Sequence, residues 1–436
     1  MLDQTQGPRR KIAIVGGGIS GLSAAYYLSA HHDVTLFEAD NRLGGHARTV
    51  LAGKNGDQPV DTGFIVFNYA TYPYLTRLFR DLDVPVMKSH MSFGASIDDG
   101  RFEYGLNNLR ALIGQKRNLL RPQYYGMIRD ILRFGKRAEA AATDDEKTIG
   151  DLVDELRLGS WFRKNYLMPM CGAIWSTPVE DVDQFPARSI VRFFRNHALL
   201  AGLAEHQWWT VRGGSIEYVR RLQSALVARG CDIRTSAPVT RVSRDDFGVI
   251  VGFGAGELQT FDDLILACHS DQALAILGDQ ATTAETQSLG AIRYQTNRAV
   301  LHSDACQMPK RRDCWASWSY RSQAGSIGVT YWMNKLQGIP ENDPLFVTLN
   351  PTRPIPPQKV YDEVEFAHPI FDAHALAAQT RLRALQGENR TWFAGAYHRH
   401  GFHEDGIASA MRIVRAINET SDLKGHPSAF DRQSPE

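Results

Sequence analysis

The chain has 436 residues, of which 43% are hydrophobic and 22% are charged, and its formal net charge at pH 7 is +1. This length predicts roughly two or three domains with ample core, while the balanced charge argues against a nucleic-acid partner. The five cysteines are scattered, with neither a CxxC motif nor metal-ligand spacing, which indicates a reducing compartment and no disulfide framework. No apolar signal segment precedes the first predicted strand, so we predict a cytoplasmic protein.

The first predicted elements are a strand at 11–15, a helix at 19–29 and a second strand at 33–37, which together form a βαβ unit. Between the first strand and the helix lies GGGISG, which fits the motif G-x-G-x-x-G of dinucleotide-binding sites. Its glycines allow a tight turn and a close approach of the pyrophosphate, which the helix N-terminus then faces. The predicted contacts are Gly16, Gly18, Ile19, Ser20 and Gly21.

A second glycine pair follows the second strand, in the segment EADNRLGGHARTV. This segment resembles the extended FAD motif of the flavin amine oxidase superfamily, which includes monoamine oxidases, protoporphyrinogen oxidases and phytoene desaturases. The spacing places Glu38 to accept hydrogen bonds from an adenosine ribose, and the resemblance implies that the Gly-Gly turn contacts the pyrophosphate. The implied cofactor residues are Glu38, Ala39, Arg42, Gly44, Gly45, His46 and Arg48. His46 replaces the arginine usual in the family, so we expect Arg48 to carry the positive charge instead.

Later segments extend this resemblance along the chain. VDTGFIVFN resembles a loop that approaches the flavin ring, VRGGSIEYVRRL resembles a segment that returns to the FAD domain, and WFAGAYHRHGFHEDGI resembles the C-terminal FAD motif. The cofactor residues that these segments imply are Gly63, Phe64, Val239, Gly395, Asp405, Gly406 and Ile407. Ala396 stands where many members carry an acid.

The string GFHEDG also resembles a bacterial subgroup of FAD proteins. Relatives in this subgroup are often encoded beside methyltransferases of the cyclopropane-fatty-acid-synthase type. The resemblance therefore implies acyl-lipid chemistry.

We predict an α/β fold with a Rossmann-like FAD-binding domain of the GR2 type and an inserted α+β substrate domain. After residue 237 the pattern predicts a small antiparallel meander and then a strand. The predicted FAD domain comprises 9–90, 205–270 and 390–420; the substrate domain comprises a helical part, 91–204, and a β-rich part, 271–389; and 421–436 form a flexible tail.

The C-terminal motif is rich in titratable side chains. They are His398, Arg399, His400, His403, Glu404 and Asp405. In one interpretation a histidine acts as an acid or base or tunes the flavin; in the other these groups satisfy the loop backbone and cap the following helix. We predict no metal site, because the superfamily uses none and the motif lacks the hydrogen-bond partners that orient metal-binding histidines.

The predicted β-rich part contains an aromatic-rich stretch. Its members are Trp315, Trp318, Tyr320, Tyr331 and Trp332. They either line an apolar substrate cavity, as the resemblance implies, or belong to the core of the sheet. Lys335 is a further candidate, by analogy with a lysine that holds a water near the flavin in amine oxidases. The catalytic candidates are thus His398, His403, Glu404, Tyr331, Trp332 and Lys335.

Residues 101–140 hold nine Lys or Arg residues and three acids, and their pattern predicts helices. Such a segment is either a solvated face or a contact with an anionic membrane surface. We therefore expect either no partner here or a peripheral membrane contact through 101–137.

Together these features predict a cytoplasmic FAD-dependent oxidoreductase, working in the cytosol or at the inner face of the membrane. Its expected reaction removes hydride from an apolar substrate such as an unsaturated or methyl- or cyclopropane-modified fatty acyl chain. The alternatives are a carotenoid-type desaturase or isomerase, an amine oxidase, and a protein that binds FAD without turnover.

Overall fold

The structure is a computed structural model that describes residues 9–144, 147–175, 183–196, 200, 207–323 and 326–420. The described residues form two compact units. The first holds the described residues within Met1–Gly45, Val219–Ile292 and Ala377–Glu436, and the second holds those within His46–Tyr218 and Arg293–Leu376. The sequence-based domain bounds lie elsewhere, since they place 46–90 and 205–218 in the FAD domain, and they stay a prediction. The predicted tail, 421–436, lies outside the described residues.

The strands are β1 (Lys11–Val15), β2 (Asp33–Phe37), β3 (Thr49–Ala52), β4 (Gln58–Asp61), β5 (Val66–Asn68), β6 (Val86–Ser89), β7 (Phe93–Ile97), β8 (Phe102–Gly105), β9 (Trp208–Val211), β10 (Asp232–Arg234), β11 (Val239–Arg244), β12 (Val249–Phe253), β13 (Glu257–Phe261), β14 (Asp263–Leu266), β15 (Tyr294–His302), β16 (Trp318–Gln323), β17 (Ser326–Trp332), β18 (Phe346–Leu349), β19 (Val360–Pro369) and β20 (Thr391–Phe393).

The α-helices are α1 (Ile19–Leu28), α2 (Pro73–Asp81), α3 (Leu109–Ile113), α4 (Pro122–Ala141), α5 (Ile149–Glu155), α6 (Ser160–Phe162), α7 (Met168–Trp175), α8 (Ala187–Asn196), α9 (Ile216–Ala228), α10 (Ser270–Leu277), α11 (Thr283–Leu289), α12 (Met333–Leu336), α13 (Ala373–Ala384) and α14 (His403–Thr420). None of the helices in the described part of the chain combines the length and the apolar character needed to cross a bilayer.

The first unit is built on a parallel sheet of five strands in the order β10-β2-β1-β14-β20. Its central strand β1 is buried, and Ile12, Ala13 and Ile14 are fully inaccessible to solvent. A central strand of a parallel sheet is covered on both faces, which explains why the sequence of β1 is a continuous apolar run. Helices α1 and α14 pack on each other in this unit. A separate antiparallel sheet, β11-β12-β13, precedes β14. The predicted Rossmann-like α/β fold, with its meander and following strand, is confirmed.

The second unit contains a seven-stranded sheet in the order β19-β15-β18-β17-β16-β7-β8. Its strand pairs are antiparallel except for the parallel pair of β7 and β16. Two smaller sheets, β3-β4 and β5-β9-β6, belong to the same unit. Helices α3 to α8 lie between β8 and β9 in the sequence, so this unit combines the helical and β-rich parts that the sequence predicts.

The register of the large sheet separates the aromatic-rich stretch into two groups. Trp318 pairs with Tyr331, and Tyr320 pairs with Val329, so these side chains share one face of the sheet. Trp332 is the next residue along β17 and belongs to the opposite face. We call the face that carries Trp318, Tyr320 and Tyr331 the inner face.

Candidate functional site

The first glycine turn lies at the carboxyl end of β1 in the first unit. Gly16 has φ +110°, its amide donates to the Phe37 carbonyl at 2.8 Å, and a Cβ there would lie 2.8 Å from the Ala267 carbonyl oxygen. At Gly18, by contrast, a Cβ would meet nothing within 4 Å. No described side chain caps the N-terminus of α1, so its first amides and the open space beside Gly18 fit a phosphate group.

The second glycine turn packs directly against the first. The Gly44 amide donates to the Gly17 carbonyl at 2.8 Å, and a Cβ at Gly45 would lie 3.1 Å from the Gly18 Cα. Gly44 and Gly45 have φ values of +114° and +56°, which glycine adopts without steric cost. The Arg42 guanidinium donates to the Gly45 carbonyl at 2.9 Å, so Arg42 braces the turn.

Glu38 connects the glycine turn to the end of β2. Its carboxylate accepts from the Gly17 amide at 2.6 Å and from the Asp40 amide at 2.8 Å. A carboxylate has about four acceptor positions, so both oxygens retain the capacity to bind ribose hydroxyls. The Glu38 carbonyl also accepts from the Ala237 amide at 2.9 Å, which brings the start of β11, and with it Val239, to the same end of the sheet.

The C-terminal motif joins this arrangement within the first unit. A Cβ at Gly406 would lie 2.8 Å from Ser20 Oγ and 3.0 Å from Ile19 Cγ2, so the first turns of α1 and α14 meet. The Gly395 amide donates to Ser409 Oγ at 2.9 Å. The N-termini of α1 and α14 therefore lie close together, and each carries a partial positive charge. An anionic or electron-rich group would be stabilised beside them.

Asp405 has a structural role at the beginning of α14. Its buried carboxylate accepts from the amides of His400 at 3.2 Å and Phe402 at 3.0 Å, and burial raises its pKa. The side chain therefore holds the loop before the helix, as the capping interpretation expects. The neighbouring Glu404 and Ile407 are also buried.

His398 and His403 are neutral near pH 7. Burial lowers the pKa of each imidazole to about 3, whereas an efficient general base has a pKa near the working pH. The His398 ring stacks on Tyr397 with ring centres 4.7 Å apart, and its buried Nε2 has no hydrogen-bond partner among the described residues. The low pKa therefore argues against acid–base chemistry for both histidines, and the stacking contact supports a packing role for His398.

Four of the predicted cofactor residues, His46, Arg48, Gly63 and Phe64, lie in the second unit. The His46 ring stacks on Phe366 with centres 4.8 Å apart, and the Phe64 amide donates to the His46 carbonyl at 2.9 Å. A Cβ at Gly63 would lie 2.0 Å from that carbonyl oxygen, so only glycine fits this approach. The structure thus holds His46, Gly63 and Phe64 in one local cluster.

Arg48 does not present a free positive charge. Its guanidinium forms a bidentate ion pair with Asp362, at 2.5 and 3.0 Å. Both side chains are about four-fifths buried, where the pair is screened weakly. The pair offsets the charge of Arg48, and the expectation that Arg48 replaces the family's arginine as a phosphate-binding charge stays a prediction.

Two further catalytic candidates, Trp332 and Lys335, lie in the same unit, and their catalytic roles stay predictions. Trp332 packs in the core on the outer side of the sheet, with its ring 5.3 Å from that of Trp315. Lys335 pairs with Glu341 at 2.5 Å, and its side chain is 42% exposed. Tyr331 alone of these three catalytic candidates belongs to the inner face, and burial raises its pKa to about 12.

Sequence reasoning missed Asp61, which lies within VDTGFIVFN. Its fully buried carboxylate accepts from Thr49 Oγ1 at 2.6 Å, from the amide and hydroxyl of Ser215 at 2.8 Å each, and from Gln337 Nε2 at 2.9 Å. Burial nevertheless raises the pKa of Asp61 to about 6. One carboxylate thereby ties two of the family-like segments, VDTGF and VRGGS, to the β-rich part.

Comparison with known proteins identifies the class to which this arrangement belongs. Residues 19–418 match the family of flavin containing amine oxidoreductases. The chain belongs to this family and is a flavin-dependent oxidoreductase whose cofactor is FAD.

Individual relatives cover nearly the whole chain. The L-amino-acid oxidase of Sistrurus catenatus edwardsii is 22% identical over 484 residues, which span 97% of this chain and 89% of the oxidase. Two solved structures share the fold. A CLA-producing fatty acid isomerase from P. acnes has a TM-score of 0.67 and 14% identity, covering 93% of this chain and 98% of its own. Cyclohexylamine oxidase from Brevibacterium oxydans has a TM-score of 0.64 and 16% identity, covering 95% and 99%.

Gly18→Ala and Gly21→Ala form a matched test of the first turn. A Cβ at Gly18 enters open space, whereas a Cβ at Gly21 would lie 1.9 Å from the Gly16 carbonyl oxygen. We expect Gly18→Ala to fold normally but to bind FAD at least about tenfold more weakly. Gly21→Ala should in addition lose about 2 kcal/mol of stability, because α1 must shift. Flavin absorbance per chain and thermal unfolding measure both effects; full FAD binding by Gly18→Ala would contradict the assignment.

Asp61→Asn tests the buried carboxylate. The folded pKa of about 6 exceeds the value of about 3.9 in unfolded chains, so the stability from this group is present at low pH and is lost as pH rises through about 6. The unfolding free energy of the wild type minus that of Asp61→Asn should fall by about 3 kcal/mol between about pH 4 and pH 7. Chemical denaturation measures it, with exposed Asp57→Asn as the control. A difference that stays constant with pH would refute the assignment.

Proposed function

We propose that this flavin-dependent oxidoreductase acts on an acyl lipid and removes hydride from an unsaturated or methyl- or cyclopropane-modified fatty acyl chain. The inner face of the large sheet is the observation that carries the proposal. Between β16, β17 and β18 most of this face is formed by apolar side chains and neutral tyrosines: Trp318, Tyr320, Val329, Tyr331, Val347 and Leu349, with Ile327 and the polar Ser322 at one end. Burial raises the pKa of Tyr320 and of Tyr331 to about 12, so neither carries charge near pH 7.

Four candidate side chains of the site, Arg48, Lys335, His398 and His403, have partners or are neutral. Arg48 is paired with Asp362, Lys335 with Glu341, and His398 and His403 are neutral because burial lowers their pKa. An amino-acid substrate needs a cation for its carboxylate, since an unpaired buried charge is costly. These pairings support an apolar substrate over an amino acid.

FAD supplies the two-electron acceptance in this reaction. The first unit would hold the cofactor with the two glycine turns, Glu38 and the first turns of α1 and α14. The second unit would bind the substrate chain on apolar surface, which orients it and excludes water.

Two further observations support acyl-lipid chemistry. The fatty acid isomerase from P. acnes shares the fold, and the GFHEDG string resembles the bacterial subgroup encoded beside fatty-acid-modifying methyltransferases. We also infer a cytoplasmic location, since all five cysteines are free thiols and disulfides are rare in reducing compartments.

Amine or amino-acid oxidation is the second candidate function. The similarity to the L-amino-acid oxidase favours it. Anaerobic reduction of the bound flavin separates the two functions, because each function predicts a different compound as the reductant.

Anaerobic reduction of the FAD-loaded protein tests the proposal. Phospholipids with monounsaturated, methyl-branched or cyclopropane acyl chains should bleach the oxidised-flavin absorbance, and mass spectrometry should show a product two hydrogens lighter. Polyenes, amines and L-amino acids should leave the absorbance unchanged. Reduction by amines or amino acids alone would overturn the lipid assignment, and reduction by none of the compounds would support FAD binding without turnover.

Tyr331→Ala and Thr330→Val test the inner face with neighbouring residues of one strand. Tyr331 belongs to the inner face, whereas Thr330 belongs to the opposite face and donates to or accepts from Thr348 Oγ1 at 2.9 Å. We expect Tyr331→Ala to raise KM for the acyl substrate at least about tenfold, because it removes a large contact surface. Thr330→Val should leave KM unchanged. Steady-state kinetics measure KM for both variants. An equal change of KM in the two variants would contradict a contact between Tyr331 and the substrate.

A further inference from the structure

The helical part of the second unit exposes an unusual concentration of large apolar side chains. They are Leu106, Leu109, Ile113, Leu119, Leu120, Tyr125 and Leu132. Leu109 is 76% exposed and Leu120 is 85% exposed. Soluble proteins scatter such residues singly, and a group of them marks an interaction surface. We call these seven residues the leucine face.

Sequence spacing and local contacts bring the members of this face together. Leu109 and Ile113 are four residues apart on α3 and therefore share one side of that helix. The 3₁₀ turn Lys116–Leu120 follows and contacts both α3 and α4. Tyr125 of α4 donates its hydroxyl to the Leu119 carbonyl at 2.9 Å.

Buried amide side chains hold the exposed leucines in place. Asn118 Nδ2 donates to the Glu103 carbonyl at 2.9 Å, and the Gln115 side chain accepts from the Glu103 amide at 3.2 Å. Asn118 is fully buried and Gln115 is 1% exposed. The two amide side chains fix the turn to Glu103 of β8. These hydrogen bonds hold the turn in the conformation that exposes Leu119 and Leu120.

Cations surround the leucine face. We call Leu119 and Leu120 the tip of this face. Lys116 and Arg117 lie just before the tip, and Arg121 follows it directly. A groove beside the tip is lined by Gly114, Gln115, Lys116, Arg117, Arg311, Arg312 and Asp313. Arg117 also lines a second groove, together with Asp98, Asp99, Gly100, Arg101, Lys310 and Arg311. Both grooves therefore offer cationic side chains next to an apolar projection.

Of the three acids that line these grooves, Asp99 and Asp313 are engaged in ion pairs, whereas Asp98 is exposed. Asp99 pairs with Lys310, Arg321 and Arg353, and Asp313 pairs with Arg110. For Arg101, Lys116 and Arg117, all exposed, the described residues supply no acidic partner within ion-pair distance. The positive charge at the tip consequently remains available to an external anion.

The exposed side of α4 continues this combination of apolar and cationic groups. Tyr125, Arg129 and Leu132 follow one another at helical spacing. Arg129 has 67% of its side chain exposed, although it contacts Asp130 at 3.2 Å. Alternating long cations and apolar groups on one helix side are typical of helices that lie in the interface of a bilayer.

We propose that the leucine face and its surrounding cations dock this protein onto an anionic phospholipid bilayer. The leucines of the tip enter the boundary between headgroups and acyl chains, while Lys116, Arg117 and Arg101 bind headgroup phosphates. Apolar burial and electrostatic attraction act together in such contacts. This inference goes beyond the proposed function, because membrane docking is measured without turnover of any lipid.

Vesicle co-sedimentation of the FAD-loaded protein tests the docking. Vesicles of phosphatidylglycerol and phosphatidylcholine in equal amounts should bind it at least about tenfold more strongly than vesicles of phosphatidylcholine alone, because each cation near an anionic surface adds about fivefold. Added salt should reduce the binding. Equal binding to both vesicle types, or binding to neither, would overturn the proposal.

Variants separate the apolar and electrostatic contributions. Leu119→Ser with Leu120→Ser should weaken binding at least about tenfold, and Lys116→Glu with Arg117→Glu should do the same at low salt. Phe247→Ser, at a 91% exposed position of the first unit, and Lys88→Glu, at an exposed strand position, are the controls and should bind as the wild type does. Control variants that lose binding as strongly would overturn the assignment of this face.

Flavin absorbance and thermal unfolding should be unchanged in both leucine-face variants, which establishes that they are folded. Sedimentation velocity then examines the competing occupant, a second copy of this chain. A dimer that dissociates in the Leu119→Ser, Leu120→Ser variant, without vesicle binding by the wild type, would overturn membrane docking. If vesicle binding follows the pattern above but no acyl lipid reduces the flavin, docking stands and the proposed function fails.

Discussion

Two glycine turns meet in the first unit, and the candidate cofactor site depends on that contact. The Gly44 amide reaches the Gly17 carbonyl, and Gly45 lies so close to Gly18 that a Cβ would come within 3.1 Å of its Cα. Side chains at these positions would push the turns apart and fill the space that a pyrophosphate needs. Glu38 accepts a hydrogen bond from the Gly17 amide, and Arg42 donates one to the Gly45 carbonyl. These bonds to backbone atoms stabilise the conformation of the two turns.

The sequence predicted the elements whose information is local. The strand β1, the turn at Gly16–Gly18 and the end of β2 at Glu38 follow from apolar runs, glycine spacing and one acid, all within about 30 residues. The sequence also predicts that Tyr331 and Trp332 lie on opposite faces of the sheet, because consecutive strand residues point to opposite faces. The sequence left open whether the aromatic-rich stretch lines a cavity or belongs to the core of the sheet, and the packing of Trp332 against Trp315 supports the core interpretation for that residue.

Partners distant in the sequence could not be predicted. Arg48 meets Asp362, and Asp61 meets Ser215 and Gln337, only because separate strands of the second unit come together. No motif or periodicity specifies such pairs. These pairs change the charges of the site. Asp362 offsets the charge of Arg48, and the buried carboxylate of Asp61 holds distant segments together through hydrogen bonds.

The approach of Gly406 to Ser20 has a consequence for how the protein is made. The first unit takes its sheet from both ends of the chain, and β20 and α14 are its last described elements. During synthesis, the N-terminal βαβ segment must wait for these elements before its sheet and the paired helix ends are complete. The residues of the second unit emerge from the ribosome before this step. Cofactor binding therefore depends on elements made after the second unit, and a chain interrupted before α14 lacks part of the flavin cradle.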